Sequence, residues 1–243
     1  MQKPKTRIFV RKSISSNLII YLKNKQHHFV KNVMRIKVND TINVFDGISG
    51  EWTSKVISIN RENTVLRIDK NIKNMQSSTD LWLIFAPIKQ HRMRIAIQKA
   101  TEIGVSKIIP CRTEYTNIKN INPNKLYENA IEASEQSERL DIPIIEKETD
   151  LKSLLKNLPK DRKLIYCDEK ITNNKSIIDT IISIKNTSEK WSIFIGPEGG
   201  FSETEKELIL KNDNTISVSL GNTVLRSDTA ITVALFCIKE ITS

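Results

Sequence analysis

Hydrophobic and polar residues alternate along the first seventy positions of the chain, a pattern typical of half-buried β-strands. Turn-forming pairs such as Asn39-Asp40 and Asp46-Gly47 separate the alternating runs. A short amphipathic helix is predicted for His27 to Arg35. The predicted strands are Arg7 to Val10, Thr41 to Phe45, Trp52 to Ile59 and Thr64 to Ile68. This pattern predicts a small, mostly β barrel of the compact type that binds RNA.

The pattern changes after residues 71–80, a polar stretch with Ser77-Ser78-Thr79 that we interpret as a linker. From there strand and helix patterns alternate, which predicts an α/β fold with a mostly parallel sheet covered by helices on both faces. The predicted strands are Leu81 to Ala86, Val105 to Pro110, Ile142 to Ile145, Lys163 to Cys167, Trp191 to Ile195 and Ile216 to Leu220. The predicted helices are Lys89 to Ile103, Asn124 to Arg139, Leu151 to Leu158, Ser176 to Ile184, Ser202 to Lys211 and Asp228 to Ile241. We therefore expect a barrel domain over residues 1–72 and an α/β domain over residues 78–243.

Two helix ends have specific signals. Gly104 stands at the stop position of the helix that ends at Ile103. Ser202 and Glu205 have the spacing of a capping box, in which each side chain bonds the other residue's backbone amide.

Composition limits the class of protein. With 39% hydrophobic and 27% charged residues, the 243-residue chain is expected to form a folded core. The longest apolar runs, Leu81 to Pro87 and Ala230 to Ile238, are too short to span a bilayer. The first residues do not resemble a secretory leader, so we expect a cytoplasmic protein.

The potential metal-binding and disulfide-forming residues are few. Cys111, Cys167 and Cys237 are far apart and embedded in apolar sequence, which indicates buried thiols and not a disulfide framework. The three histidines lack the spacing of a metal site. No metal is expected.

Charge is distributed unevenly. The net charge of +10 belongs almost entirely to residues 1–71, which carry +9, whereas residues 72–243 carry +1. A solvated basic surface is one interpretation. A basic domain beside a neutral one more often indicates that the first domain binds a phosphate backbone.

Glycine is concentrated at the ends of predicted strands. Only seven glycines occur, and three of them lie in Gly196 to Gly200, while Gly221 begins a second loop that ends at Arg226. Both loops, like Asp168-Glu169, directly follow strands, and ligands bind at the carboxyl ends of such strands. Neither loop has dinucleotide or Walker spacing, so phosphate cradling is disfavoured. Each loop taken alone is also compatible with an ordinary tight turn.

These motifs resemble those of the RsmE family of SPOUT-class RNA methyltransferases, which methylate N3 of one uridine in 16S ribosomal RNA of the small subunit. The resemblance covers essentially the whole chain, in order. The matching segments are Arg7 to Val10, His28 with Val33 to Arg35, Gln98 to Val105, Glu135 to Ser137 with Arg139 and Pro143, Ile195 to Ser202, and Leu220-Gly221 with Val224 to Arg226. Gly-Pro-Glu-Gly-Gly-Phe and Leu-Gly-x-x-Val-Leu-Arg are the specific pair. Asp228 departs from the glutamate usual in the family, and Asn39 stands where glycine is common.

The resemblance implies a PUA-like N-terminal barrel and a SPOUT methyltransferase domain whose chain forms a trefoil knot. It also implies S-adenosylmethionine as cofactor, a 16S rRNA or small-subunit substrate, and a homodimer. The residues expected to hold the cofactor come from the two glycine loops and the strand ends before them. They are Cys167, Ile195, Gly196, Pro197, Glu198, Gly199, Leu220, Gly221, Asn222, Val224 and Leu225.

Candidate roles follow for polar side chains. Arg226 is expected to stabilise the uracil oxyanion, because arginine is too basic to act as a general base. Glu198 is the candidate proton acceptor, or it braces the loop. The residues expected to contact RNA are Arg7, Arg11, Lys12, Arg35 and Lys37, together with Gln98, Glu102 and Arg139, which face either the substrate base or the partner subunit.

Two other functions remain open from the sequence. A non-catalytic ribosome-binding or assembly protein would use the same basic barrel. A SPOUT methyltransferase acting on tRNA or on a ribose hydroxyl would share the knot.

Overall fold

The computed structural model describes residues 4–76, 78–118, 120–167 and 175–242. The chain forms two compact units. The first comprises Met1–Ser77 with Ser134–Ile142, and the second comprises Ser78–Ala133 with Pro143–Ser243.

The first unit contains a five-stranded sheet with the order β1-β3-β4-β5-β2. The strands are β1 (Arg7–Phe9), β2 (Ile19–Lys23), β3 (Thr41–Phe45), β4 (Glu51–Ile59) and β5 (Asn63–Lys73). Strand β2 was not predicted, because the contiguous apolar residues Leu18 to Ile20 hide its alternation. The predicted helix begins earlier than expected, as α1 (Asn24–His28), and continues as a π-helical segment (Phe29–Val33).

This sheet is curled into a half-barrel. Strands β4 and β5 are long, and their pairing shifts register at three places, including Trp52/Ser54 and Val56/Ser58. Such bulges bend a strand and increase its twist. The inner face, with Ile42, Val44 and Leu66, is buried together with Val30 from the π-helical segment.

The second unit is an α/β fold with an entirely parallel sheet among the described pairs, in the order β12-β10-β11-β6-β7-β8, with β9 also pairing with β7. The strands are β6 (Leu81–Phe85), β7 (Lys107–Arg112), β8 (Ile144–Ile145), β9 (Thr149–Asp150), β10 (Lys163–Cys167), β11 (Trp191–Ile195) and β12 (Thr215–Val218). The helices are α2 (Gln90–Ile103), α3 (Pro123–Gln136, whose last three residues belong to the first unit), α4 (Leu151–Asn157), α5 (Ile177–Ile184), α6 (Glu203–Leu210) and α7 (Ser227–Thr242).

Helices cover this sheet in two layers. Helix α7 packs on β11 and β6 and contacts α2 and α5. Helices α4 and α6 pack against each other, and they share a core with Ile84, Tyr166 and Phe194 from the strands. The predicted two-sided covering of a parallel sheet is confirmed.

Helix α3 ends three residues before the predicted position. Glu138 has a φ of 59°, a left-handed conformation that a helix cannot continue through. The predicted strand Ile142 to Ile145 is correspondingly reduced to β8.

Candidate active site

Three adjacent parallel strands end at the same level of the sheet. Cys167 at the end of β10 is paired with Ile195 of β11 on one side and with Val218 of β12 on the other. Their following segments therefore start side by side, where open α/β sheets bind ligands. Asp168-Glu169, predicted to join this edge, lies outside the described residues.

The loop after β11 depends on glycine at two positions. A β-carbon on Gly196 would lie 2.6 Å from Cε2 of Phe201, so any larger residue would displace that buried ring. Gly200 has a φ of 71°, and its N–H donates to the carbonyl of Pro197 at 2.9 Å, which closes a tight turn. Glycine at Gly196 is thus required by packing, and glycine at Gly200 by backbone conformation.

The far end of this loop is fixed to the core. The Phe201 ring packs edge-on against Tyr166 and Phe194, with ring centroids 5.2 and 5.0 Å apart. The capping box of Ser202 and Glu205 is formed as predicted. The second oxygen of the buried Glu205 carboxylate, Oε1, accepts from the N–H of Glu114 at 2.8 Å, so this carboxylate also holds the segment after β7.

The loop after β12 leads into helix α7. Gly221 has a φ of 120°, and a β-carbon there would meet no atom within 4 Å. The buried Ser227 donates its hydroxyl to the carbonyl of Gly196 at 3.1 Å. This hydrogen bond ties the start of α7 to the first loop.

A cavity of about 250 Å³ lies between the two loops. Every residue predicted to hold the cofactor lines it except Gly199, whose neighbour is the Tyr115 side chain. The lining residues that sequence reasoning missed are Gly200, Phe201, Val218, Ser219, Thr223, Ser227 and Ala230. Gly200, Phe201 and Thr223 lie inside the two recognised motifs, and Ser219 and Ser227 directly flank the second, so including every motif residue and its neighbours would have found most of them.

Both candidate catalytic residues line this cavity. Arg226 is exposed, and its carbonyl accepts from the N–H of Ala230 at 2.8 Å, in the first turn of α7. Glu198 forms an ion pair with Arg92 of α2, with 3.2 Å between Nη1 and Oε1. Arg92 was not predicted, because it precedes the recognised motif on that helix.

Two further groups lie beside the cavity. Burial raises the pKa of the Cys167 thiol to about 12, with Cys237 adding to the shift, so Cys167 is a neutral wall residue. The Oδ1 atom of Asp228, in the first turn of α7, is buried and has no hydrogen-bond partner in the described parts of the chain.

The predicted RNA-contact residues divide into two groups. Arg11, Lys12, Arg35 and Lys37 are exposed in loops of the first unit. The Arg7 side chain is only 8% exposed: its guanidinium lies 3.8 Å from the centre of the Phe45 ring, pairs with Glu51 at 3.2 Å, and donates to the carbonyl of Ser134 at 2.6 Å. The structure therefore gives Arg7 an internal packing role, and we exclude it from the RNA surface.

The remaining predicted contacts are also engaged within the protein. The Arg139 side chain is only 7% exposed and binds both carboxylate oxygens of Asp141, at 2.6 and 3.1 Å. On α2, Gln98 donates to Glu102 at 2.8 Å, and Lys99 pairs with the same carboxylate at 2.7 Å. Arg139 is too enclosed to reach a substrate in this arrangement, whereas Gln98 and Glu102 stay candidates.

The described residues contain no cluster of His, Cys, Asp and Glu arranged to hold a metal ion. The buried His27 instead makes a 2.9 Å hydrogen bond with Thr64. No described helix is long and apolar enough to cross a membrane.

Family models match both units. The model described as an RNA methyltransferase domain matches residues 75–239, and the model described as an RNA methyltransferase PUA domain matches residues 22–69.

Curated relatives of similar length carry one name. The chain is 36% identical over 230 residues to the Ribosomal RNA small subunit methyltransferase E of Rickettsia conorii, covering 94% of this chain and 93% of that protein. It is 30% identical over 242 residues to the protein of the same name from Buchnera aphidicola of Schizaphis graminum, covering 97% and 96%.

Solved structures agree with these sequence matches. A methyltransferase from Legionella pneumophila, solved with bound SAM, superposes with a TM-score of 0.87 at 26% identity and 97% coverage of both chains. A Ribosomal RNA small subunit methyltransferase E from Neisseria gonorrhoeae, bound to S-adenosylmethionine, gives a TM-score of 0.83 at 25% identity, covering 95% of this chain and 94% of that one.

Proposed function

The chain belongs to the family of ribosomal RNA small subunit methyltransferases E, and from this membership we propose that it methylates N3 of a uridine in 16S ribosomal RNA. S-adenosylmethionine is the methyl donor. The observation that carries the proposal is the cavity at the carboxyl ends of β10, β11 and β12. One wall of this cavity is the loop Gly196 to Phe201, and the other is the loop Ser219 to Arg226.

The cavity residues fit this cofactor. Ile195, Leu220 and Leu225 offer apolar surface to an adenine ring, and Ser219 and Asn222 offer polar groups. Because Gly221 has no side chain and a β-carbon there would meet only open space, a ligand is able to approach the backbone closely.

The protein's part in the reaction is mainly positioning. The cofactor supplies an electrophilic methyl group on its sulfonium. Uridine N3 carries a proton in neutral water and must lose it before attack. We propose that the exposed side chain of Arg226, a residue of the cavity wall, stabilises the negative charge that then develops on the uracil oxygens. Glu198 is the candidate proton acceptor, although its ion pair with Arg92 also suits a loop brace.

RNA capture is assigned to the basic first unit. Arg11, Lys12, Arg35 and Lys37 are exposed there, and contacts of this kind position a phosphate backbone without reading its sequence. We expect Gln98 and Glu102 of α2 to contribute near the target base or at a subunit interface. The reaction is proposed to take place in the cytoplasm.

A homodimer is part of the proposal. The layer formed by α2, α7 and α5 exposes the large apolar side chains of Ile95, Phe236, Ile178 and Ile182. Two of these, Ile178 and Ile182, are one helical turn apart on α5. A second copy would remove this apolar surface from water. Light scattering gives the molar mass of the wild type and of the double variant Phe236→Ser/Ile182→Ser. We expect a dimer for the wild type and a monomer for the variant, and a monomeric wild type would contradict the proposal.

One assay tests the proposed reaction. The protein is incubated with labelled S-adenosylmethionine and, separately, small ribosomal subunits, naked 16S rRNA or tRNA, and the modified nucleoside is then identified by mass spectrometry. We expect N3-methyluridine from a small-subunit substrate and none with Gly196→Val, whose side chain would clash with the Phe201 ring. Label in tRNA or in a ribose would instead indicate another SPOUT activity, and binding without transfer would indicate a ribosome-binding protein.

A further inference from the structure

The outer face of the half-barrel carries a second candidate RNA contact. We propose that a nucleobase stacks on Tyr21 while neighbouring phosphates lie against Lys23, Lys55 and Arg67. We call this surface the β2-β5-β4 face. The proposal rests on the proposed function in one respect, that the RNA bound is the methylation substrate.

Strand pairing places these side chains on one face. Tyr21 of β2 is paired with Val65 of β5, and Ile19 with Arg67. Arg67 is in turn paired with Lys55 of β4. Side chains of paired residues, and of every second residue along a strand, point to the same side of a sheet. Tyr21, Lys23, Arg67 and Lys55 therefore share one face, and the cations lie on the paired rows directly before and after the row of Tyr21.

Burial identifies this as the outer side. In β2, Ile20 and Leu22 are buried in the core, whereas Tyr21 between them is 59% exposed. In β5, Leu66 and Ile68 are buried in the same core on either side of the exposed Arg67. Tyr21, in the middle of the edge strand β2, is able to present one side of its exposed ring to a ligand.

The cations here are available. Lys23, Lys55 and Arg67 are exposed, and none of them forms an ion pair with another residue in the described ranges. The acid on the same stretch of β5 is Asp69, which leaves the three cations in excess.

The mixture of groups favours RNA over an apolar protein partner. Exposed apolar surface here is small: Tyr21 and Ile57 are exposed, Ile19 is half-buried and Val65 is buried, while cations flank them in both β2 and β4–β5. Aromatic stacking platforms beside Lys and Arg are the usual means of holding single-stranded RNA, because every base has a stacking face and every nucleotide a phosphate. The residues of this face differ from the loop cations Arg11, Lys12, Arg35 and Lys37. The face is therefore an additional RNA-binding surface.

The test compares RNA affinity among variants of the full-length protein. Tyr21→Ala is expected to weaken binding of a 16S rRNA fragment about 5- to 150-fold, the range found for removing one stacked base. Tyr21→Phe keeps the ring and should bind within about twofold of wild type. Lys55→Ala/Arg67→Ala should lower the slope of log affinity against log salt by about one for each phosphate that the variant no longer binds.

Matched controls remove comparable groups elsewhere. Ile48→Ala deletes another exposed apolar side chain of the same unit, and Lys152→Ala deletes an exposed cation of α4. Neither should change RNA affinity beyond about twofold. Circular dichroism and thermal unfolding identify any misfolded variant, and Tyr21→Phe serves as a folded reference.

The readouts separate this inference from the proposed function. Binding is measured without cofactor, and methylation is measured afterwards at saturating RNA. If Tyr21→Ala binds RNA like the wild type, the inference is overturned even when N3-methyluridine is formed. If Tyr21→Ala weakens binding but the nucleoside product is a different one, the inference stands and the proposed reaction fails. A change of oligomeric state in Tyr21→Ala with unchanged RNA affinity would assign the face to a second copy of the chain and also overturn the inference.

Discussion

The Ser227 hydroxyl donates to the carbonyl oxygen of Gly196 across 3.1 Å, from the first residue of α7 to the first residue of the loop after β11. The two residues are 31 positions apart. Both line the cavity, so one buried hydrogen bond fixes the distance between the two loops that form its walls.

Replacing Ser227 by alanine should loosen the cofactor site. The Gly196 carbonyl would lose its partner, which costs about 1 kcal/mol for a neutral hydrogen bond. We expect the Kd for S-adenosylmethionine to rise about fivefold, with kcat at saturating cofactor changed less than twofold. Isothermal titration measures the first quantity. Thr229→Ala, an exposed position two residues further along α7, is the control, and equal Kd values for the two variants would contradict the proposed tie.

Gly196→Ala tests the packing demand on the first loop. The new β-carbon would stand 2.6 Å from the Phe201 ring, which is held between Tyr166 and Phe194. Overpacking of this kind costs about 1–3 kcal/mol of unfolding free energy. The double variant Gly196→Ala/Phe201→Leu should lose less than the sum of the single variants, because leucine leaves room for the methyl group. Chemical denaturation gives all three values, and strict additivity would show that the two positions do not clash.

The sequence predicted those parts of the molecule whose signals are local. Three local features occur where they were predicted: strands β10 and β11, the left-handed Gly104 after α2, and the capping box at Ser202. Each depends on a signal of only a few neighbouring residues, namely a continuous apolar run, a glycine at the helix end, or a capping pair. The cavity lining was also largely predictable, since it consists of two continuous loops.

Long-range partners were not predictable in this way. The motif residues Arg7 and Glu135 are 128 positions apart, yet Glu135 accepts from the N–H of Phe9 at 2.8 Å and Arg7 donates to the carbonyl of Ser134. Nothing in the local sequence around Arg7 distinguishes a buried guanidinium from one that binds phosphate. Arg92, the partner of Glu198, is likewise 106 positions from it. The trefoil knot stays a prediction, because strand order does not by itself specify threading.

Arg226→Ala should separate turnover from cofactor binding. If the exposed guanidinium stabilises charge on the uracil, its loss should lower kcat about 100-fold or more, as for other oxyanion-stabilising groups, while the Kd for S-adenosylmethionine changes less than threefold. Arg226→Lys keeps the charge and should recover part of the rate. Single-turnover methylation at saturating RNA is the measurement. A parallel loss of rate and cofactor affinity would mean that Arg226 only supports the loop.

Arg162 is expected to stabilise the end of the sheet where the strands begin, opposite the end that carries the cavity. Its side chain is 2% exposed, lies 3.5 Å from the centre of the Trp82 ring, and donates to the carbonyl of Trp191 at 2.7 Å. Arg162→Met should lower the free energy of unfolding by about 2–4 kcal/mol, because that carbonyl loses its partner and the stacked cation is removed. Urea denaturation is the assay. Lys190→Ala, which breaks an exposed ion pair with Asp161, should leave the stability nearly unchanged, and similar losses in both variants would refute the distinction.

Acid sensitivity of the first unit should depend on Asp46. Burial opposes ionisation of this carboxylate, but hydrogen bonds from the N–H groups of Ser49, Ile48 and Ile14 outweigh that effect and lower its pKa. A carboxyl whose pKa is lower in the folded than in the unfolded state adds stability above its unfolded value of about 4, and this contribution is lost as the pH falls through the folded value.

Asp46→Asn should therefore be less stable than the wild type at pH 7 by about 1–3 kcal/mol, because an amide cannot accept all of these hydrogen bonds. The difference should narrow as the pH is lowered from 5 towards 3, since the wild type alone loses the contribution of the ionised group. Urea denaturation at a series of pH values measures both trends. Asp213→Asn, at an exposed position of the second unit, controls for a general change of charge. If the difference in unfolding free energy between the wild type and Asp46→Asn stays constant from pH 7 to pH 3, ionisation of Asp46 does not stabilise its loop.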